Sequence, residues 1–253
     1  MDRNSTSYTL IFASIVTVVC AILLGVAATK LKPLQTINAD VDKKSKILLA
    51  LDEFDPKKPI PSKEVLAFFK EQDNTGKLVK KFAVNHEGTV LELSADDLRD
   101  LDLFKEMKAY PDDASKRKYP IYAYFDSKEA LAVNKPNQYV VPVFGYGLWS
   151  NCFGVLALDS EGRVVNNIVY YKHGETPGLG GEIEKLKFTD PFKGKKVHNV
   201  KGEVALTTTK GDLDDNSVPA ISGATFTMDG VNAMLNKFLT IYDAYFIKKR
   251  GAE

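Results

Sequence analysis

From Tyr8 to Thr29 the chain reads YTLIFASIVTVVCAILLGVAAT, 22 residues without a charge. At 1.5 Å per residue this makes about 33 Å of helix, enough to cross a hydrocarbon core of about 30 Å. In lipid only a helix satisfies every backbone group within one short segment, so the run is expected as one transmembrane helix over residues 8–29. A cleaved signal peptide is the alternative, but its apolar core is usually about 7–15 residues long and ends at a small-x-small site. This run is longer, lacks a clean site of that kind and follows a leader (residues 1–7) with the single basic residue Arg3. Beyond the span stand Lys30, Lys32, Lys43, Lys44 and Lys46. Counted alone, those lysines favour a cytoplasmic location for the larger, C-terminal part.

The remaining chain has a globular composition, 44% hydrophobic and 26% charged over all 253 residues. A net charge of +1 argues against a nucleic-acid partner, which selects a basic face. Cys20 lies in the apolar run and Cys152 stands alone beyond it, so the globular part forms no internal disulfide.

Lys32-Pro33 is expected to break the first helix, with a second running from Thr36 to Glu53 on a stripe of Ile37, Val41, Ile47, Leu48 and Leu51. Asp55 to Ser62 reads as a Pro-rich linker, Thr89 to Leu93 as a strand and Ala95 to Met107 as a helix. From Tyr139 the chain turns β-rich, with a hairpin expected around Ser160-Glu161-Gly162. A final helix carries Val231, Met234, Leu235, Phe238, Leu239 and Tyr242 on one stripe. The expected division is a leader (1–7), a span (8–29), a helix-rich region (30–138) and a β-rich module (139–253) closed by that helix.

Self-contained enzyme constellations are missing from the sequence. His86, His173 and His198 have no metal-ligand spacing, no phosphate loop of the Walker type occurs, and no serine sits in a GxSxG elbow. One segment remains, Ser222-Gly223-Ala224-Thr225-Phe226-Thr227. On local grounds it reads as a helix N-cap, since small hydroxylated residues satisfy orphan amides there. The same position suits a phosphate, because free amides and the positive end of the helix dipole favour an anion.

SGATFT resembles the SGAT-x-T flavinylation motif of the FMN-binding family that contains NqrC, the C subunit of the Na⁺-translocating NADH:quinone reductase. The G subunit of the related Rnf complex (RnfG) shares that motif. GYGLWS (Gly145 to Ser150) and HGETPGLGG (His173 to Gly181) resemble the family's other two signature stretches, in the same order and spacing. The long region between the span and these motifs is closer to NqrC. Where the family usually carries an acid three places before SGAT, this chain has Pro219.

The resemblance implies an α+β fold: one N-terminal transmembrane helix and an extramembrane FMN-binding domain whose antiparallel or mixed sheet is flanked by helices. It implies FMN joined through its phosphate to Thr225 by a separate flavin transferase, with Ser222, Gly223 and Ala224 around the phosphate. Gly147 is then expected to let the backbone approach the flavin, and Leu148, Trp149 and Leu179 to cover its ring. Glu175 and Thr176 are expected to hydrogen-bond its polar edge. For Trp149 the alternative is the core tryptophan of the domain; His173 is a candidate for proton transfer, with a solvated loop residue as the expected reading. The implied activity is an electron relay, without catalysis by this chain alone, in a complex that couples NADH oxidation and quinone reduction to Na⁺ export. The other subunits, the transferase and the bacterial inner membrane are the implied partners, with the large domain periplasmic. The alternatives are an Rnf-type subunit and an anchored, non-catalytic binding module in which SGAT is only a cap.

Overall fold

The computed structural model describes residues 6–53, 55, 58, 60–70 and 77–252. The leader's Arg3 and part of the Pro-rich linker lie outside the described residues. The chain divides into two compact units, Met1–Lys43 and Lys44–Glu253.

The first unit is formed by most of helix α1 (Thr6–Ala50). Its apolar stretch is long enough to cross a membrane, and none of it is buried against protein. Thr17 and Thr29 return their hydroxyls to the carbonyls of Ala13 and Gly25, so their polar atoms are satisfied within the helix. The break expected at Lys32-Pro33 does not occur: Pro33 lies inside α1. A proline removes one backbone donor at a cost of about 3 kcal/mol, and that need not end a helix whose flanks hold good helix formers. Thr36 donates its hydroxyl to the Lys32 carbonyl, adding a bond in the turn that contains Pro33.

In the second unit the main sheet runs β2-β1-β3-β4-β5-β6 and is antiparallel throughout. Its strands are β1 (Leu78–Val84), β2 (Val90–Leu91), β3 (Tyr119–Phe125), β4 (Gln138–Tyr146), β5 (Asn151–Asp159) and β6 (Val165–Lys172). The boundary expected at 138/139 therefore falls inside one sheet. Region 30–138 supplies β1, β2 and β3 as well as the short helices α2 (Ser62–Ala67), α3 (Ala95–Asp100), α4 (Leu103–Ala109) and α5 (Lys128–Ala132). The hairpin expected near Gly162 joins β5 to β6, and Gly162 takes the positive φ of 69° that its turn requires.

The single helix expected from Ala95 to Met107 is two. Leu101 and Leu103 are both buried, and residues two apart on one helix point to different sides. Asp102 resolves the conflict by capping α4, its carboxylate accepting from the amides of Phe104 and Lys105.

Every residue of β3 is buried because both faces of the sheet are covered. Tyr119, Ile121, Ala123 and Phe125 share a core with Met234, Phe238, Tyr242 and Phe246 of the long C-terminal helix (Thr225–Ala252). On the opposite face Tyr124 donates to Glu53, whose carboxylate also pairs with Lys77 at 2.6 Å. Asn167 of β6 donates to the Leu49 carbonyl and to Asp52, holding the end of α1 there. A four-residue helix, α6 (Leu186–Thr189), precedes the C-terminal helix, which is therefore α7. The whole stripe expected on α7 is buried. A small parallel pair, β7 (Thr207–Thr209) and β8 (Ser217–Pro219), leads into the start of α7. This is the α+β arrangement expected, with the sheet antiparallel.

Candidate functional site

The three glycine-containing signatures meet at the N-terminus of α7. β4 ends at Tyr146 and β5 begins at Asn151, so GYGLWS forms the reversal between paired strands, closed by the Gly147 amide on the Ser150 carbonyl at 2.8 Å. Glycine is required where α7 crosses this end of the sheet. A Cβ on Gly230 would lie 2.0 Å from the Tyr146 carbonyl oxygen, and one on Gly145 would lie 2.7 Å from the Met234 Cβ. The third signature approaches as closely: a Cβ on Gly180 would meet the Thr227 hydroxyl at 2.4 Å.

Glu175 joins all three segments. Its Oε1 accepts from the amides of Trp149 (2.9 Å) and Ser150 (3.1 Å). Its Oε2 accepts from the Leu148 amide (3.0 Å) and the Thr227 hydroxyl (2.7 Å). The side chain is buried. Burial pushes its pKa up, but the hydrogen bonds from Thr227 and the Trp149, Leu148 and Ser150 amides outweigh it and hold the carboxyl below its ordinary range. Two donors on each oxygen use the accepting capacity of a carboxylate. The carboxylate from which a flavin-edge contact is expected thus already accepts from four protein donors. Gly147 serves the same arrangement, since a Cβ there would meet the Glu175 carboxylate at 2.7 Å.

Thr176 is exposed, and its carbonyl takes the Leu179 and Gly181 amides to form the tight turn. His173 is largely buried and not the solvated loop residue expected: its Nδ1 accepts from the Glu175 amide, and its Nε2 lies 3.5 Å from Glu184. Under the loop, burial and then the Glu175 carboxylate push the Cys152 thiol up to about 12, leaving an unreactive thiol.

Above Glu175 the surface is apolar. Leu148 is 44% exposed, Trp149 65%, Leu179 44% and Phe226 68%, so Trp149 is not the core tryptophan that the sequence alone allowed. Leu179 reaches Gly223, where a Cβ would stand 3.1 Å from its methyl group, and Gly223 has a φ of 79°. Ser222 and Gly223 are exposed and Ala224 is buried. Ser222 also lines a cleft of about 540 Å³ that includes Lys185, Lys187 and Pro219.

Thr225 is the first residue of α7, exposed, with the Ala224 carbonyl accepting the Met228 amide in the helix's opening bond. Among the described residues the amides of Thr225, Phe226 and Thr227 have no hydrogen-bond partner, as the first turn of a helix leaves them. Sequence reasoning missed Lys210, which donates from Nζ to the Thr225 hydroxyl at 3.1 Å. No local pattern marks it, since it lies fifteen residues away across the β7–β8 pair.

Free amides and a cation beside an exposed hydroxyl suit a phosphate, and the adjoining apolar surface suits a flat ring. Thr227 is unsuited to a second attachment, being buried and bonded to Glu175. The residues present therefore fit FMN, and the class defined by fold and site is an FMN-binding domain. The FMN-binding domain family matches residues 147–240.

The C subunit of the Na⁺-translocating NADH-quinone reductase of Pseudomonas aeruginosa is 32% identical over 263 aligned residues, covering 100% of this chain and 99% of that one. Its counterpart in Haemophilus ducreyi is 34% identical, covering 91% and 88% respectively. The crystal structure of the corresponding protein from Parabacteroides distasonis superposes with a TM-score of 0.67 at 27% identity, covering 85% of this chain and 96% of that one. The chain belongs to the NqrC family, the C subunits of Na⁺-translocating NADH-quinone reductases.

Proposed function

We propose that the chain holds FMN by a phosphodiester at Thr225 and works as an electron-relay subunit of a membrane complex that passes electrons from NADH to quinone and exports Na⁺. The observation that carries the attachment is the exposed Thr225 hydroxyl at a helix N-terminus with three unpartnered amides and a neighbouring ammonium. FMN supplies the redox chemistry when bound. The chain's own residues hold and shelter it. Leu148, Trp149, Leu179 and Phe226 offer the ring apolar cover, and the Thr225–Thr227 amides face the phosphate. Thr176, whose hydroxyl has no partner among the described residues, offers the ring's polar edge a contact. Glu175 acts through the loop it anchors.

The remaining subunits of the reductase and a flavin transferase are the partners on this reading. α1 anchors the chain by a single pass in the bacterial inner membrane, and the domain after Thr29 is periplasmic. A covalent tether suits that side, because it prevents cofactor loss where free FMN is scarce.

The test is flavin fluorescence of the denatured, gel-separated chain after co-expression with a flavin transferase, with peptide mapping of the label. A fluorescent band mapping to the peptide with Thr225, and lost in Thr225→Ala, is expected. A chain that binds flavin natively but loses it on denaturation is a non-covalent module, with SGAT only a helix start.

A further inference from the structure

Lys210 has no carboxylate partner among the described residues; its hydrogen bond goes to the Thr225 hydroxyl at 3.1 Å. A lysine on an exposed loop usually keeps its ammonium in water, where ordering the long side chain costs rotamer entropy. Here the backbone beneath it is fixed. Asn232 of α7 accepts from both the amide (2.7 Å) and the hydroxyl (2.9 Å) of Thr208, and returns its own amide to the Thr208 carbonyl (3.0 Å). Thr209 extends the brace, its carbonyl taking the Ala220 amide at 2.8 Å and its hydroxyl the Gly211 amide at 3.0 Å. β7 is thus tied to α7 on one side and to the strand leading into SGAT on the other, which sets Lys210 over the first turn of α7.

We propose that Lys210 is the cation built into this chain for the phosphate carried by Thr225, serving both the acceptor hydroxyl and the phosphodiester formed on it. This rests on the reading of Thr225 as the attachment point. In the transfer the Thr225 oxygen attacks the FMN phosphorus of a flavin phosphoanhydride held by the transferase. The new O–P bond forms as the anhydride P–O bond breaks, the second phosphate leaves with its own charge, and the hydroxyl proton passes to a base of the transferase. An ammonium that donates into a hydroxyl lone pair leaves that proton free to depart and stabilises negative charge on the oxygen. Once the oxygen bears phosphorus, the same ammonium lies beside the non-bridging oxygens, as their charge-assisted donor. The helix amides contribute fixed partial charge, and Lys210 supplies a full positive charge at Thr225, the one in contact with it among the described residues.

The experiment compares the full-length chain, Lys210→Gln and Lys210→Arg, each purified in detergent and flavinylated by the transferase. Initial labelling rates are read by intact mass, and the ³¹P resonance of the attached phosphate by NMR. Lys210→Gln is expected to label more slowly by roughly tenfold, the scale of one charge-assisted hydrogen bond, with kcat rather than KM carrying the loss. Its ³¹P resonance is expected to move, with Lys210→Arg recovering most of the rate and the shift. An unchanged thermal midpoint before labelling separates this from misfolding. A Lys210→Gln chain that labels at the wild-type rate with the wild-type ³¹P resonance would overturn the role of Lys210 and leave Thr225 standing. A rise in KM alone, with kcat and the resonance unchanged, would also overturn it, since Lys210 would then serve only transferase docking. Label that maps away from Thr225 in the wild type would sink the attachment reading and this proposal together.

Discussion

Glu175 shows how a residue can belong to a cofactor site without touching the cofactor. Its carboxylate is held below its ordinary range, so the sign of its pH dependence is fixed. The stabilisation is complete above the unfolded glutamate value and is lost as pH falls through the lower folded value. Glu175→Gln keeps the volume but turns an amide NH₂ toward backbone donors, leaving part-buried N–H groups unpaired at a cost of about 1 kcal/mol or more. Thermal midpoints from neutral to acidic pH should show a lower plateau for the variant and a shallower acid decline. Parallel curves for the two proteins would mean that Glu175 does not carry the effect. Thr225 behaves differently. As the first helical residue rather than the cap, its replacement by Ala should change stability by no more than about 0.5 kcal/mol, measured by urea denaturation. Loss of label in that variant is then loss of the hydroxyl and not of the fold.

At the scale of elements, α7 crosses β4 where glycines let two backbones touch. Gly230→Ala gains about 1 kcal/mol of helix propensity. It also sets a methyl group 2.0 Å from the Tyr146 carbonyl oxygen, and backbone cannot swing aside as a flexible side chain can. Overpacking of this kind costs about 1–3 kcal/mol or more, so the balance falls on destabilisation. Urea midpoints should drop, and labelling at Thr225 should slow because the start of α7 must move from its loop. A variant as stable as the wild type would show that the helix seat adjusts freely. The α7 stripe was readable because amphipathic period alone defines it. The α3–α4 break at Asp102 was not, because it depends on the burial of both Leu101 and Leu103, which only the fold decides.

At the scale of the whole molecule, the charges beside the span bear on the side of the membrane on which the domain works. Lys30, Lys32, Lys43, Lys44 and Lys46 oppose a periplasmic domain on a raw count. Lys30 and Lys32 are the two nearest the span, whereas Lys44 and Lys46 belong to the compact unit Lys44–Glu253. Long domains translocate largely regardless of charge, so the lysines of that unit weigh little. Protease added outside intact spheroplasts should remove the domain and leave a short membrane-embedded fragment. Protection until lysis would reverse the orientation and exclude flavinylation outside the cytoplasm.

The sequence by itself determined what repeats locally or is spelled contiguously: the apolar span, the α7 stripe, the β5–β6 hairpin and three signature stretches in order. Those depend on hydrophobic period, turn chemistry and short motifs, all carried by neighbouring residues. Tertiary structure alone decided that β1 and β3 complete the sheet of β4, β5 and β6, because strand pairing depends on partners far along the chain. It also turned Glu175 inward to Thr227, 52 residues away, and brought Lys210 to Thr225 across 15. A carboxylate or an ammonium carries no mark of its partner in the sequence. Only the folded backbone, here brought close by Gly145, Gly180 and Gly230, decides which donor and acceptor meet.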